Sequence, residues 1–540
     1  MKHQRNPNQV YIFDTTNRDG AQATKGAKGG NPAKLEIVRM LGQTRVDRIE
    51  AGFPYSSQAN FEAVQQAARE VHESMVFGLT RPRLEEVKAT YEAVKDAEFP
   101  GIHVFSIMFD PNSLKAYRTT KEQVVEDCVK GIGHARKLLG GRGQVEFSFQ
   151  NATNTPLENI VYGYKRAIEA GANVINVPDT VGYSQPEEIT LIVKKLREEV
   201  PDDVMISIHC HNDLGLAVAN SLAAVKAGAD IVECAVNGIG ERAGNAALEE
   251  VAMGIIVRKD FFDGKTIRLD TQKFGQLSRL VSDVYSMVVQ ENKAIVGANA
   301  FRHRSGIHQD GMLQRGGLYE IMRSEQVGWI GEGIELNANS GWVGVSYRIQ
   351  RLGYAIKDGD KASVMSAFKT SADERPTVED ADLVYIMDTI NGHGKGGYRF
   401  VDMSAKTETG SRGYISTIIL ESLNGQRFTA TSNANELNGI PQNKDSVIEH
   451  KYHGPVETIC AAIKKIEGNP NNLHLVKYDP INIGSGEDAP AEVTVILSKQ
   501  PEFDGRIRPF DGMYVGRARH ADTLRASGMA YLDALNKARQ

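Results

Sequence analysis

Between Val10 and about Met253 the chain alternates between two hydrophobic periods. Runs rich in β-branched and aromatic residues, "VYIFDTT", "RIEAGF", "MVFGLT", "IHVFSIM", "QVEFSFQ", "VINVPDT", "MISIHCH" and "IVECAVNGIG", recur roughly every 25 to 35 residues. The stretches between them, such as "NFEAVQQAAREVHESM" and "NSLAAVKAGAD", carry apolar residues at i, i+3, i+4 and i+7, the spacing of a helix laid over a sheet. Eight strand-then-helix units in about 250 residues predict an α/β fold, a (β/α)8 TIM barrel. A doubly wound open sheet shares the alternation. The barrel is preferred because Arg18, Asp19, Glu50, His103, Gln150, Asp179, His209, His211 and Glu241 fall at the C-terminal ends of many different runs. In a barrel those ends converge on one mouth, whereas an open sheet spreads them along an edge.

The pattern changes twice further on. Residues 285–380 read as helices broken by "GANAFRHRSGIHQDG" and "RGGLYEIM", a helical linker without strand alternation. From 381 to 540, "DLVYIMDTI", "YISTIILESL" and "RFTATSN" read as strands before a helical "GPVETICAAIKKIEG". "LHLVKYDPINI", "AEVTVILS" and "YVGRARH" then repeat the scheme before a last helix, "ADTLRASGMAYLDALNKAR". This predicts a C-terminal α+β domain with an internal pseudo-repeat. The glycine-rich "NGHGKGGY" lacks the spacing of a phosphate loop and reads as a turn.

Composition narrows the partners. The 540 residues are 41% hydrophobic and 24% charged with a net charge of -5, so both signs are interspersed and no basic face is offered to nucleic acid or to an anionic membrane. No apolar run approaches a membrane span, and "MKHQRNPNQV" lacks the apolar core and cleavage site of a signal peptide, which predicts a cytoplasmic protein acting on small molecules. Cys128, Cys210, Cys234 and Cys460 have no C-x-x-C spacing and read as reduced core thiols.

Within the seventh run, "SIHCHNDLG" places His209 and His211 at i and i+2, on one face of a strand and about 7 Å apart, where both could reach one ion. A pair of strand histidines bonded to backbone is the alternative. Asp19 at the end of the first run and Asn245 in "NGIGERAGN" could complete a mixed nitrogen and oxygen site suited to Mn, Zn, Mg or Co. Such a metal can polarise the carbonyl of a chelating 2-oxo acid, and a nearby arginine can stabilise the oxyanion that develops when a carbon nucleophile adds.

"FDTTNRDGAQ", "IEAGFP", "VPDTVGY", "HCHNDLGLAVANSLAAVKAGADIVECAVNGIGERAGNAALEEV" and "NAFRHRSGIHQDG" resemble the 2-isopropylmalate synthases, within the metal-dependent acyl-CoA condensing enzymes that also include homocitrate and citramalate synthases. The resemblance covers nearly the whole chain, since "GPVETICAAIKKIEG" and "AEVTVIL" look like that family's leucine-binding domain. It implies Asp19, His209, His211 and Asn245 as metal ligands and Arg18 as the oxyanion partner. It implies Glu241 in the acid/base network, His308 as the base acting on acetyl-CoA with Tyr319 assisting, and His103, Ser148, Gln150, Asn176 and Thr180 around the 2-oxo acid. It also implies a homodimer, with the linker of one subunit reaching the other's barrel.

The chain departs from the family pattern at a few positions. Asn17 and Ala21 replace the usual Leu and Glu, Gln150, Asn151 and Asn154 stand where Glu, Asp and Arg are expected, and Trp342 stands where a basic residue is usual. Amides keep the shape of carboxylates but not their charge or basicity. The leading expectation is condensation of acetyl-CoA with 2-oxoisovalerate in leucine biosynthesis, with feedback by leucine held in the C-terminal domain near Asp488, Asp522 and the start of the last helix. The competing expectations are a citramalate or homocitrate synthase on another 2-oxo acid, a regulatory paralogue with little turnover, and a retro-aldol lyase, which the long C-terminal domain disfavours.

Overall fold

The computed structural model describes residues 5–539 except 108, 110, 303–319, 330–334, 358, 376, 393–396, 408–413, 435–453, 468–471, 483–489, 502, 504 and 506. The described residues fall into two compact units, 5–302 with 320–329, and 335 onward.

The first unit is the predicted barrel. Strands β1 (Tyr11–Asp14), β2 (Arg48–Gly52), β3 (Met75–Thr80), β4 (Pro100–Ile107), β5 (Gln144–Gln150), β6 (Val174–Asp179), β7 (Met205–Cys210) and β8 (Ile231–Cys234) close in sequence order, and β1 pairs in parallel with β8. Strand alternation sends one set of side chains to the helices and the other into the lumen. Ile12, Ile49, Ile102, Val145, Ile175, Ile206, Ile208 and Val232 join the apolar layer under the helices. The floor of the lumen is a separate cluster of Tyr11, Phe13, Met75, Phe77, Val174, Met205 and Ile231. Arg48 lies among these floor residues, and above them the lumen turns polar: Glu50, His103, Glu146, Ser148, Asn176, Ser207, His209 and Glu233 are all buried. These charges interrupt strands that otherwise read as apolar, so sequence periodicity detects the strands and says nothing of their inner face.

The second unit begins with helices Trp342–Arg351, Lys361–Glu374 and Asp380–Asn391. The last of these corrects the expected strand over "DLVYIMDTI". Ala381, Leu383, Val384, Ile386 and Met387 are buried at helical spacing, Asp382 caps the Glu379 backbone N–H, and Gly392 ends the helix at φ 78°. Tertiary burial overrides the β-branched composition there. The unpredicted strand is β9 (Tyr398–Thr407), half exposed and charged. With β10 (Tyr414–Ser422) and β11 (Arg427–Asn433) it forms an antiparallel sheet of order β11-β10-β9, followed by helix Pro455–Glu467. Strands β12 (His474–Asn482), β13 (Ala491–Ser498) and β14 (Met513–His520), then helix Thr523–Ala538, repeat the scheme. The pseudo-repeat is therefore three strands and a helix, twice. Val493, Val495 and Leu497 face the core shared with Ile418, Ile459, Tyr531 and Leu535, while Ile496 and Val515 pack with Val345, Phe368 and Met387 of the preceding helices.

All four cysteines are buried and free. No helix among the described residues is long and apolar enough to cross a membrane.

Candidate metal and substrate site

The site is assembled by the segments that leave β1, β7 and β8. After β1 the chain makes one π-helical turn, Thr16–Gly20, which puts Arg18 and Asp19 at the mouth while Asp14 stays inside the wall, bonded to Thr16. Beyond β7, His211 bridges to Asn245, and the Asn212 and Ala246 N–H groups donate to Gly244 O and Cys210 O at 2.9 and 3.1 Å. The loop after β8 is thereby zipped to the end of β7. Its glycines serve Asn245 directly. Gly244 has φ +101°, and a Cβ on Gly240 would lie 2.2 Å from the Asn245 amide nitrogen. Arg242 latches the loop from outside through a bidentate pair with Asp213 and a bond to Thr180 O.

Among the described residues, one group of side chains meets the distances of a metal site: Asp19, His209 and His211, all buried. His209 Nε2 and His211 Nε2 face each other at 3.2 Å, with Asp19 Oδ2 3.8 and 4.0 Å away. His211 Nδ1 lies 3.3 Å from Gly244 O, an atom that can only accept, and His209 Nδ1 lies 2.8 Å from Glu233 Oε2. With the ring protons on Nδ1, two lone pairs confront each other, an arrangement that a cation between them resolves. Burial pushes both imidazoles down to about 4, so they are neutral at pH 7, as ligands must be. Burial pushes the Asp19 carboxyl up, but Arg18 and the two histidines override it and hold it well below the carboxylate range. Asn245 Oδ1 is buried without a hydrogen-bond partner, while its Nδ2 donates to Asp19 and Ile239 O. These donors fit a divalent ion.

Arg18 is fixed from two sides, by Glu50 through Nε and by Asp19 through Nη1 at 2.7 Å, with Glu233 Oε2 3.9 Å from Nη2. Burial works against its charge, and the three carboxylates outweigh burial. Glu50 also meets His103 Nδ1 at 2.8 Å, and His103 Nε2 lies 2.6 Å from Ser148 Oγ, which accepts from Asn176 Nδ2 at 2.8 Å. Burial lowers the His103 pKa, but Glu50 dominates and lifts it to about 9, while Glu50 falls to about 2. The expected His103, Ser148 and Asn176 are thus one connected row beside Arg18. Thr180 sits at the rim, its hydroxyl accepting from Asn151 N at 2.7 Å, and Gln150 is exposed at the end of β5. Glu241 reaches the ligands through its backbone, its N–H donating to Asp19 at 3.1 Å, while its side chain is exposed. His308 and Tyr319, with Asp488, lie outside the described residues.

Three residues of the site carried no role in the sequence: Glu50, which pairs with both Arg18 and His103, Glu233 and Glu146. The available signal was a carboxylate inside an apolar strand, "RIEAG", "QVEFS" and "IVEC", which a strand buried on both faces tolerates only with a partner. In the second unit, Asp522 accepts from Leu524 N and Arg525 N and so caps the last helix. This corrects the expectation that the start of that helix offers free N–H groups to a carboxylate.

Residues 9–281 match the HMGL-like family, 295–376 the homocitrate synthase post-HMGL domain-like family, and 377–539 the LeuA allosteric (dimerisation) domain. The 2-isopropylmalate synthase of Pyrococcus furiosus is 39% identical over 98% of this chain and 99% of its own. The chain belongs to the 2-isopropylmalate synthase family. The enzymes of that name from Nitrosospira multiformis and Aromatoleum aromaticum are also 39% identical, each over 98% of this chain and 97% of their own. Membership in the 2-isopropylmalate synthase family accounts for the order of the parts, an HMGL-like barrel, a post-HMGL segment and a LeuA allosteric (dimerisation) domain, and bears out the fold expected from the hydrophobic pattern.

Proposed function

We propose that this chain is a metal-dependent acyltransferase that condenses acetyl-CoA with 2-oxoisovalerate, giving 2-isopropylmalate and free CoA in leucine biosynthesis. The observation that carries this reading is the buried convergence of Asp19, the two facing Nε2 atoms and Asn245 Oδ1 directly beside a pinned arginine. A divalent cation held by Asp19, His209, His211 and Asn245 supplies Lewis-acid polarisation of the keto group when bound.

The chain's own residues supply the rest. Arg18 is held rigidly by Glu50 and Asp19, so its guanidinium reaches the developing oxyanion without reorganising. His103, charged near neutral pH, donates to Ser148 Oγ, as does Asn176. The Ser148 hydroxyl proton is then free for an oxygen of the 2-oxo acid. Thr180 and Gln150 border the same opening, where Gln150 would touch the acceptor's side chain. His308, by family resemblance, removes a methyl proton of acetyl-CoA with Tyr319 assisting; the carbanion adds to the carbonyl carbon, and water cleaves the thioester. For Glu241, exposed at the rim, the family resemblance implies a part in the acid/base network. In the second unit the same reading assigns a leucine effector and a homodimer, which the LeuA allosteric (dimerisation) match supports.

A thiol assay for CoA release with 2-oxoisovalerate, pyruvate and 2-oxoglutarate tests the reaction. Turnover on 2-oxoisovalerate above the others is expected; preference for pyruvate or 2-oxoglutarate makes it a citramalate or homocitrate synthase, and no release with any acceptor leaves a regulatory protein. Calorimetry with leucine tests the effector.

A further inference from the structure

We infer that Glu233 is a positioning residue, the carboxylate that sets the ring proton and orientation of His209 and ties this ligand to Arg18; the inference rests on the metal-site reading above. Glu233 lies on β8, beside β7, in register with His209. It is 1% exposed, and its Oε2 is 2.8 Å from His209 Nδ1 and 3.9 Å from Arg18 Nη2. Neither Glu233 oxygen nor His209 Nδ1 makes a well-aligned hydrogen bond in this structure, the 2.8 Å contact between them included, so the pair stands at hydrogen-bond distance and needs only a small rotation to align. Besides facing Arg18 and Glu146, a buried carboxylate in that position can accept the Nδ1 proton of His209 and present its Nε2 lone pair toward Asp19 and His211.

The two histidines are held by unlike means. A backbone carbonyl, Gly244 O, stands at the Nδ1 of His211 and belongs to the loop that carries Asn245. His209 relies on a side chain, so its orientation can be altered by one substitution without disturbing the loop. Glu50 does the corresponding work on the other side of Arg18, where it pairs with His103. Glu233 thus joins a ligand to the oxyanion arginine, whereas Glu50 joins that arginine to the substrate row.

The experiment is metal affinity, measured on the full chain with Mn or Co by competition with a chelator, so it does not depend on which 2-oxo acid is turned over. Glu233→Gln keeps the volume and is expected to weaken affinity about 10- to 100-fold, and to shift the visible absorption of the Co-loaded protein, because an outer carboxylate tunes the basicity and aim of its histidine. Affinity within about twofold of the parent with an unchanged Co spectrum overturns the inference, whatever the thermal stability does. A purely structural role lowers the melting temperature of the metal-free protein and leaves both readings alone. Should the Gln variant fail to fold, nitrogen-15 spectroscopy of histidine-labelled parent protein decides: His209 protonated on Nδ1 is expected, and protonation on Nε2 overturns it. Loss of metal in the parent protein itself would instead strike at the site reading.

Discussion

At the residue scale the site works by opposition of charges rather than by exposure. His211→Ala removes one of two nitrogens from a mixed site; bound metal measured after dialysis should fall by at least tenfold and CoA release should be lost. Retention of metal and turnover would return the two histidines to a structural pair. Gln150→Glu tests the departure at the end of β5. Glu is the family's usual residue there, so if the carboxylate is missing for want of function, restoring it should raise kcat/KM for 2-oxoisovalerate, measured by CoA release. No gain, or a loss, would mean that the amide is tuned to a different acid. His209, His211, Asp19 and Asn245 were legible in the sequence because their spacing and resemblance named them. Glu50 was placed at the mouth but without a role, and Glu233 and Glu146 were not legible, because a buried charge in an apolar strand has no meaning until its partner across the lumen is known.

At the scale of elements, strand periodicity located all eight barrel strands yet misassigned Asp380–Asn391, whose β-branched residues are arranged at helical spacing. Long apolar runs at the edge of a domain carry both signals, and packing decides between them. What packing added is an ionic knot. Asp382, fully buried, receives Arg375 Nη1 at 3.0 Å and also Arg517 from β14, while Glu492 of β13 pairs with Arg375 and with Arg519 at 3.0 Å. The helix is thereby riveted to the sheet. Asp382→Ala would leave two arginines with one buried partner fewer and should destabilise the second unit by about 3–5 kcal/mol, visible in urea as an earlier transition of that unit. An unchanged midpoint would show that Glu492 suffices.

For the molecule as a whole, the polar lumen makes stability depend on pH. Burial, reinforced by Glu233, lifts the Glu146 carboxyl to about 8, and Glu50 lifts His103 to about 9 against burial. Both folded values lie above the unfolded ones, so the folded protein holds protons that the unfolded chain has released. The contribution of Glu146 is complete below about 4.5 and that of His103 below about 6.5; they are lost as pH rises through about 8 and about 9 respectively. The metal-free protein should therefore melt at progressively lower temperature from pH 6.5 to 9. Glu146→Gln should make that decline shallower by about 1.4 kcal/mol per pH unit between 6.5 and 8, one proton's worth. Calorimetric scans of the parent and the variant at matched pH measure it, and parallel curves would remove Glu146 from the account.

The division of the barrel into an apolar jacket and a charged bore also bears on how such a protein can change. Ile12, Ile49, Val145, Ile206 and Val232, which close the sheet against its helices, touch none of the reacting groups, and the bore residues add little to that jacket. Fold and chemistry are written on alternate positions of the same strands. A lineage can exchange every second residue to accept a new acid while the intervening ones keep the scaffold standing. Conversely, filling the lower bore with hydrocarbon, as in a joint Arg48 and Glu146 replacement, should yield a hardier barrel.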